Sequence, residues 1–133
     1  MIGDTKQHIS EDLRRFIKEK IQTVLRLEVL LLLHGHQPSA FTAPEVANRL
    51  GFETDTTAHE IEELEAIGVV VQPNRDKTKY RYDPSSETLR SLIEQLALHY
   101  SKHRVPILSV MLADHPDRIR LFAEAFRIIR SND

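Results

Sequence analysis

A dense group of cationic side chains lies in a short, turn-rich stretch, PNRDKTKYRY, that begins at Pro73. Four cations in this stretch outnumber its one acid, Asp76. Lysine and arginine in such a loop can neutralise phosphates, which is the chemistry of nucleic-acid binding. Mixed charge is also ordinary on a soluble surface, so a plain solvated face stays an equal alternative. The cations are Arg75, Lys77, Lys79 and Arg81, and a second basic group comprises Arg14, Arg15, Lys18 and Lys20.

The stretch before it, from Thr42 to Gly68, has the opposite charge. It contains seven acids against one base, Arg49. Carboxylates repel phosphates, although one of them can accept a hydrogen bond from the amino group of cytosine. The same charge would suit docking on a basic protein surface, with a candidate face formed by Asp55, Glu62 and Glu63. The seven acids are Glu45, Glu53, Asp55, Glu60, Glu62, Glu63 and Glu65.

Two histidines, His99 and His103, have the four-residue spacing that can place two imidazoles on one metal ion. Further candidate ligands follow in a turn, at Asp114, His115 and Asp117. Two imidazoles underfill a tetrahedral zinc site, and no complete ligand set is visible. We therefore expect no metal site, with His103 packed along a helix seam and His99 solvated.

Catalytic motifs are missing from the sequence. It has no glycine-rich phosphate loop, no nucleophile elbow and no His-Glu-x-x-His metalloprotease motif. We expect no enzymatic activity and no cofactor.

Composition predicts a single domain with one core. The chain has 133 residues, a net charge of −2 and no cysteine, so disulfides are excluded and the chain as a whole has no attraction for polyanions. Its first residues lack the pattern of a signal peptide, and the longest apolar stretch, 24–33, is too short to span a bilayer. We expect a cytoplasmic protein.

Three regions follow one another along the chain. Amino-terminal helices are predicted over 9–37, a helix-turn-helix and hairpin over 40–82, and carboxy-terminal helices over 85–130. In the first region, Thr23 can cap a helix that is apolar on nearly every face. That helix should stop near Gly35, which places His34 and His36 at its end, where an imidazolium suits the helix dipole.

The middle region has clear boundary signals. Ala40 and Phe41 could form a minimal edge strand, and a capping box at Thr42 and Glu45 begins the first helix. Gly51 ends that helix, and Gly68 closes the second, longer one. Valines at 69–71 and the run 80–82 then form a β-hairpin around the basic loop.

In the last region, apolar residues recur at alternating intervals of three and four, which is typical of a packing seam. Pro106 should kink or split this helix because it lacks a backbone donor. A final helix is predicted around Ile119 to Ile129. Apolar residues on so many faces favour a homodimer, with 85–130 as the dimerisation region. The seam comprises Leu89, Leu92, Ile93, Leu96, Tyr100, His103, Ile107, Leu108 and Met111.

Within the middle region a pattern of leucines, glycines and aliphatic residues resembles the winged helix-turn-helix of bacterial regulators of the multiple-antibiotic-resistance and arsenical-resistance types. It covers about a third of the chain and departs from the family at Thr57, where an aliphatic residue is usual. The matching positions are Leu50, Gly51, Phe52, the helix start at 53–56, Ile61, Leu64, Gly68, Val69 and Val70.

The resemblance implies a mainly α fold with a small β-hairpin wing, that is, a winged helix-turn-helix flanked by amino-terminal and carboxy-terminal helices. In such proteins the second helix of the motif enters the major groove of double-stranded DNA, and the wing contacts the backbone. The DNA-contacting residues implied here are Thr54, Thr57, Ala58, His59, Arg75, Lys77 and Lys79.

The function implied is that of a cytoplasmic, homodimeric regulator of transcription. An alternative is a winged-helix adaptor that docks its acidic helix on a protein partner and binds no DNA. A metal-sensing repressor is a third possibility, and it depends on the histidine pair.

Overall fold

The computed structural model describes residues 9–73 and 77–112. This part of the chain contains six α-helices and three short strands. The helices are α1 (Glu11–Phe16), α2 (Val24–Gly35), α3 (Ala43–Leu50), α4 (Thr54–Ile67), α5 (Glu87–Lys102) and α6 (Arg104–Leu112), and the strands are β1 (Phe41–Thr42), β2 (Val70–Val71) and β3 (Lys79–Tyr82).

Helix α1 begins at a serine cap and widens at its end into a π-helical turn. Ser10 accepts a hydrogen bond from the Leu13 amide at 3.2 Å, which satisfies a free donor of the first turn. The helix continues as the π-helical turn Ile17–Ile21 and ends at Gln22, whose φ of 66° is unusual for a residue with a side chain. The predicted amino-terminal helix is confirmed, with its apolar stripe buried.

Helix α2 is the central core helix. Thr23 caps it by accepting from the Arg26 amide at 3.1 Å, as predicted. No side chain from Val24 to His34 is exposed, in agreement with its nearly continuous apolar sequence. The helix ends where His36 turns its Nδ1 atom to the Leu32 carbonyl, 2.9 Å away.

The predicted capping box at the start of α3 is present in both halves. The Thr42 amide donates to the Glu45 carboxylate at 2.8 Å, and the Glu45 amide donates to the Thr42 hydroxyl at 3.2 Å. Hydrogen bonding of the Glu45 carboxylate to the backbone amide of Thr42, and then to the Thr42 side chain, lowers the pKa of the Glu45 carboxyl. Gly51 and Gly68 end α3 and α4 with φ angles of 77° and 97°, the left-handed conformation that favours glycine.

The three strands form one antiparallel sheet in the order β1-β3-β2. Phe41 pairs with Tyr80 at one edge, and Val70 pairs with Tyr82 at the other. The predicted edge strand and hairpin are therefore present, each shifted by a residue or less. A strand between α2 and α3, two packed helices and a terminal hairpin make up a winged helix-turn-helix, which confirms the predicted fold class.

Pro106 divides the carboxy-terminal helical region, as predicted. The division lies at His103, because Pro106 is the third residue of α6, where its missing N–H costs no helical hydrogen bond. Ile93, Leu96 and Ile107 of the predicted seam are fully buried within the chain. The predicted final helix lies outside the described residues, as do Asp114, His115 and Asp117.

The core lies between α2 and the surrounding helices. Its fully buried side chains come from all three predicted regions, so they pack as one unit around α2. In the part of the chain that the structure describes, no helix combines the length and apolarity needed to cross a bilayer. The fully buried large side chains are Leu13, Ile17, Ile21, Leu27, Val29, Leu30, Leu33, Ile61, Leu64, Ile93, Leu96 and Ile107.

Candidate nucleic-acid interface

The amino-terminal turn of α4 is open to solvent. Glu53 is its N-cap residue but makes no side-chain capping hydrogen bond. Thr54, Asp55 and Thr56 are exposed. The first turn of a helix has backbone N–H groups without helical acceptors and the positive end of the dipole, so it favours anions such as phosphate.

Three of the four predicted base-reading residues lie on accessible surface. Thr54 and His59 are exposed, and Ala58 is half-buried. They belong to the first half of α4, so one end of the helix presents them together.

Thr57 corrects the fourth assignment. Its side chain is 0 % exposed, and its hydroxyl has no hydrogen-bond partner among the described residues. A base contact from Thr57 is therefore inconsistent with this structure, and its assignment to the DNA-reading group was wrong. The physical reason is that Thr57 faces the core on the same side of α4 as Glu60 and Leu64, three and seven residues further on. The aliphatic residue usual in the resembled family would suit the same buried site.

The wing presents fewer free cations than its sequence contains. Lys77 is exposed in the loop, and its backbone carbonyl accepts a hydrogen bond from the side-chain Nε2 atom of Gln72. Lys79 is half-buried opposite Thr42 in the sheet, near the Glu45 carboxylate. Arg75 lies outside the described residues.

Arg81 of strand β3 forms an ion pair with an acidic residue. Its guanidinium lies 3.4 Å from the Asp83 carboxylate, which also lies 3.9 Å from Arg90 of α5. These partly exposed pairs contribute little stability, but they neutralise Arg81 locally.

Several of the acids that the motif contains are engaged in contacts within the protein, so the motif presents less negative charge than its sequence suggests. Glu45 is engaged in the capping box, and Glu60 is paired with Arg26 at 2.7 Å. Glu63, a member of the predicted acidic face, lies 3.8 Å from the same guanidinium. The remaining acids of the motif, all exposed, are Glu53, Asp55, Glu62 and Glu65.

Two of these exposed acids lie far along α4 from its first turn. Burial raises the pKa of the Tyr80 hydroxyl, and the charges of Glu65 and Glu62 raise it further. Both acids are therefore close to strand β3 in the carboxy-terminal half of α4. Only Glu53 and Asp55 flank the amino-terminal turn.

Arg26 and Arg49 are two residues that sequence reasoning missed. Arg26 lies within the apolar stretch 24–33, and it is 7 % exposed and ion-paired to α4. The sequence contained a signal for this pairing, because a lone arginine in a helix buried on nearly every face requires an acidic partner. Arg49 is exposed at the end of α3, with its guanidinium 4.9 Å from the centre of the Phe41 ring.

The histidines follow the sequence prediction only in part. His34 lies in the last turn of α2, with its Nε2 atom 3.0 Å from the Glu94 carboxylate of α5. His99 and His103 are both half-buried, so His99 is less solvated than expected. Among the described residues, no three histidine or acidic side chains converge in a way that could hold a metal ion.

An open cleft of about 390 Å³ lies between α2 and α5. Leu31 and Leu32 form part of its apolar wall, and Arg104 lies over the Tyr100 ring, 4.8 Å from its centre. Burial raises the pKa of the Tyr100 hydroxyl, and Glu28 adds to this shift. The cleft thus combines an apolar wall with a rim of both charges.

Known proteins resemble this chain in three dimensions rather than in sequence. No family model and no curated protein matches it. Among solved structures, the PcaV transcriptional regulator from Streptomyces coelicolor has a TM-score of 0.49 at 18% identity, with 98% of this chain and 90% of that chain covered. A point mutant of S. aureus MepR bound to an oligodeoxyribonucleotide has a TM-score of 0.48 at 14% identity, covering 100% and 99%. The transcriptional regulator PA3341 has a TM-score of 0.46 at 21% identity, covering 98% and 91%.

Proposed function

We propose that this chain is a transcriptional regulator that binds double-stranded DNA through α4 and the wing. The observation that carries the proposal is the open first turn of α4, which presents Thr54, Ala58 and His59 from one end of a helix within a winged helix-turn-helix. In this arrangement the end of α4 enters the major groove. Lys77 and Lys79 of the wing contact the phosphate backbone.

The distribution of charge on α4 limits the affinity for DNA in this orientation. At the first turn of α4, Glu53 and Asp55 oppose a phosphate backbone, but the helix dipole and the exposed Arg49 offset them in part. Glu62 and Glu65 lie toward the other end of α4, beside strand β3. Affinity therefore depends on few cations, and we expect binding that weakens as salt is added, with a shallow slope that reflects the small number of phosphate contacts.

A fluorescence-anisotropy titration with a random duplex at low salt tests the proposal. Each phosphate contact contributes a slope of roughly −0.9 to the dependence of log affinity on log salt concentration. Lys77→Ala and Lys79→Ala should each reduce that slope by about 1. Lys102→Ala, at an exposed position at the end of α5, is the matched control and should leave the slope unchanged. Absence of salt-dependent binding at high micromolar protein would overturn the proposal.

We further infer that the regulator is a homodimer. Leu98 and Val105, in the carboxy-terminal helices, are 56% and 70% exposed, which is unfavourable for large apolar side chains left in water. A second copy that covers them would pair two α4 helices with two DNA half-sites. Sedimentation should show a dimer that Val105→Glu weakens. A wild-type monomer at high concentration would contradict the inference.

A second candidate function, an adaptor without DNA binding, is favoured by one observation. Apart from His59, every exposed ionisable side chain on α4 is acidic. In this case Asp55 and Glu62 would contact a basic protein surface, whereas Glu63 is partly held by Arg26. A labelled lysine-rich peptide replaces the duplex in the same titration. Binding of the peptide but not of DNA, lost on Glu62→Lys, would favour the adaptor.

A further inference from the structure

The guanidinium of Arg26 is a buried cation bonded to more than one element of the fold. Its Nε atom donates to the Glu60 carboxylate at 2.7 Å. Its Nη1 atom donates to the Lys20 carbonyl at 2.9 Å and to the Gln22 side-chain oxygen at 3.3 Å. Its Nη2 atom lies 3.8 Å from the Glu63 carboxylate. A single side chain of α2 therefore holds the end of the π-helical turn and the DNA-reading helix.

The two acids of α4 that contact Arg26 fix the rotation of this helix about its own axis. Glu60 and Glu63 are three residues apart and lie on one face of the helix, directed at α2. Rotation of α4 about its axis would change both contacts at once. The same rotation would change how Thr54 and His59 are presented to solvent. The ion pairs therefore fix which residues α4 offers to a ligand.

On the amino-terminal side, Arg26 contacts Lys20 and Gln22, where the π-helical turn that follows α1 ends. Gln22 has a left-handed φ of 66°, which is costly for a residue with a Cβ atom and persists only where its surroundings hold it. Carbonyls at a helix end need hydrogen-bond donors from outside the helix, and the Arg26 guanidinium donates to the Lys20 carbonyl. One guanidinium thus contacts both this turn and α4, and it links the position of the turn to the rotation of α4 about its axis.

Buried ion pairs are a poor source of net stability. Their desolvation cost offsets most of the attraction, and a well-packed apolar pair is often at least as stable. An arginine fork imposes a geometry that apolar side chains do not impose. Orientation is therefore the property by which this network differs from a hydrophobic contact of similar volume.

We propose that Arg26 is a positioning residue that couples the π-helical turn to the orientation of α4. This inference rests on the proposed function for its consequence, since the orientation of α4 sets the affinity for DNA. Structural change at the amino-terminal turn is transmitted to the DNA-reading face through this side chain.

The test compares the apolar pair Arg26→Met with Glu60→Leu against the wild type. We expect the urea midpoint of the double variant to match or exceed that of the wild type. Residual dipolar couplings of the α4 amides, relative to those of α2, should change because the helix is no longer held at one rotational setting. Affinity for a duplex should fall at least about tenfold. Arg14→Met is the control, since Arg14 is half-buried, lies outside this network and pairs with Glu11 at 3.8 Å.

A second variant tests whether the amino-terminal turn acts on α4 through Arg26. Gln22→Gly removes one acceptor and leaves the left-handed backbone available, so it should alter the α4 couplings in the wild-type background. In the Arg26→Met and Glu60→Leu background the same change should have no effect on α4.

Two results separate this inference from the proposed function. Unaltered α4 couplings in the double variant would overturn the positioning role whether or not DNA is bound. A wild type that binds no duplex would overturn the proposed function, while altered couplings would still support Arg26 as the residue that positions α4.

Discussion

The buried hydroxyl of Thr57 gives a prediction in which removing a polar group stabilises the protein. Its oxygen has no hydrogen-bond partner in residues 9–73 and 77–112, and its side chain is 0 % exposed. A buried polar group without a partner costs about 1–3 kcal/mol. Valine has nearly the same shape and a similar helix propensity. We therefore expect Thr57→Val to raise the free energy of unfolding by about 1 kcal/mol.

The hydroxyl and the methyl group of the Thr57 side chain can be tested separately. Thr57→Ser retains the hydroxyl and removes the buried methyl, so it should lower the free energy of unfolding by about 1 kcal/mol. Thr56→Val is the matched control, because Thr56 is the exposed neighbour on the same helix. Its effect should stay within about 0.5 kcal/mol.

Urea denaturation measures all three variants. A higher midpoint for Thr57→Val with an unchanged slope would show a change in stability alone. A shift of the thermal midpoint by roughly 2–6 °C should accompany it. Affinity for DNA should be unchanged, since the side chain has no access to solvent. Destabilisation by Thr57→Val, with Thr57→Ser neutral, would mean that the hydroxyl has a partner and would refute the reasoning.

Other consequences concern a tyrosine and two glycines. Burial, with the Glu94 charge, raises the pKa of Tyr82 to about 12 from 10.0, so its stabilising contribution is complete below pH 10 and is lost as the pH approaches 12. Tyr82→Phe should therefore lose less stability over that interval, measured by urea denaturation, and an equal loss would contradict the assignment. Gly51→Ala should cost about 1–2 kcal/mol for its left-handed backbone alone. Gly68→Ala should cost more, because a Cβ atom there would lie 2.7 Å from the Ser85 hydroxyl oxygen, and equal thermal shifts for the two variants would be inconsistent with this difference.

Local signals in the sequence determined the boundaries of the winged helix-turn-helix. Thr42, Glu45, Gly51 and Gly68 act through hydrogen bonds and backbone angles within a few residues, so their roles can be inferred without a partner element. The apolar repeats likewise predicted the buried stripes, since a helix places every third or fourth residue on one face. The π-helical turn Ile17–Ile21 and the position of the break before Pro106 required the structure.

The site depended more on the tertiary structure. In the first half of α4, from Thr54 to Glu60, every residue except Ala58 is polar, and a polar residue by itself does not show which way it faces. Packing against α2 placed Thr57 and Glu60 inside and left Thr54 and His59 outside. The count of acids in the sequence consequently overstated the negative charge that α4 presents to a ligand.

The pairing of Arg26 with Glu60 illustrates the difference between local and long-range determinants. The two residues are 34 positions apart, and their bond of 2.7 Å exists only because α2 and α4 pack together. The sequence determined the elements, their caps and the apolar faces by short-range rules. The tertiary structure alone decided which charges neutralise one another, because electrostatic partners are set by distance in space and by burial.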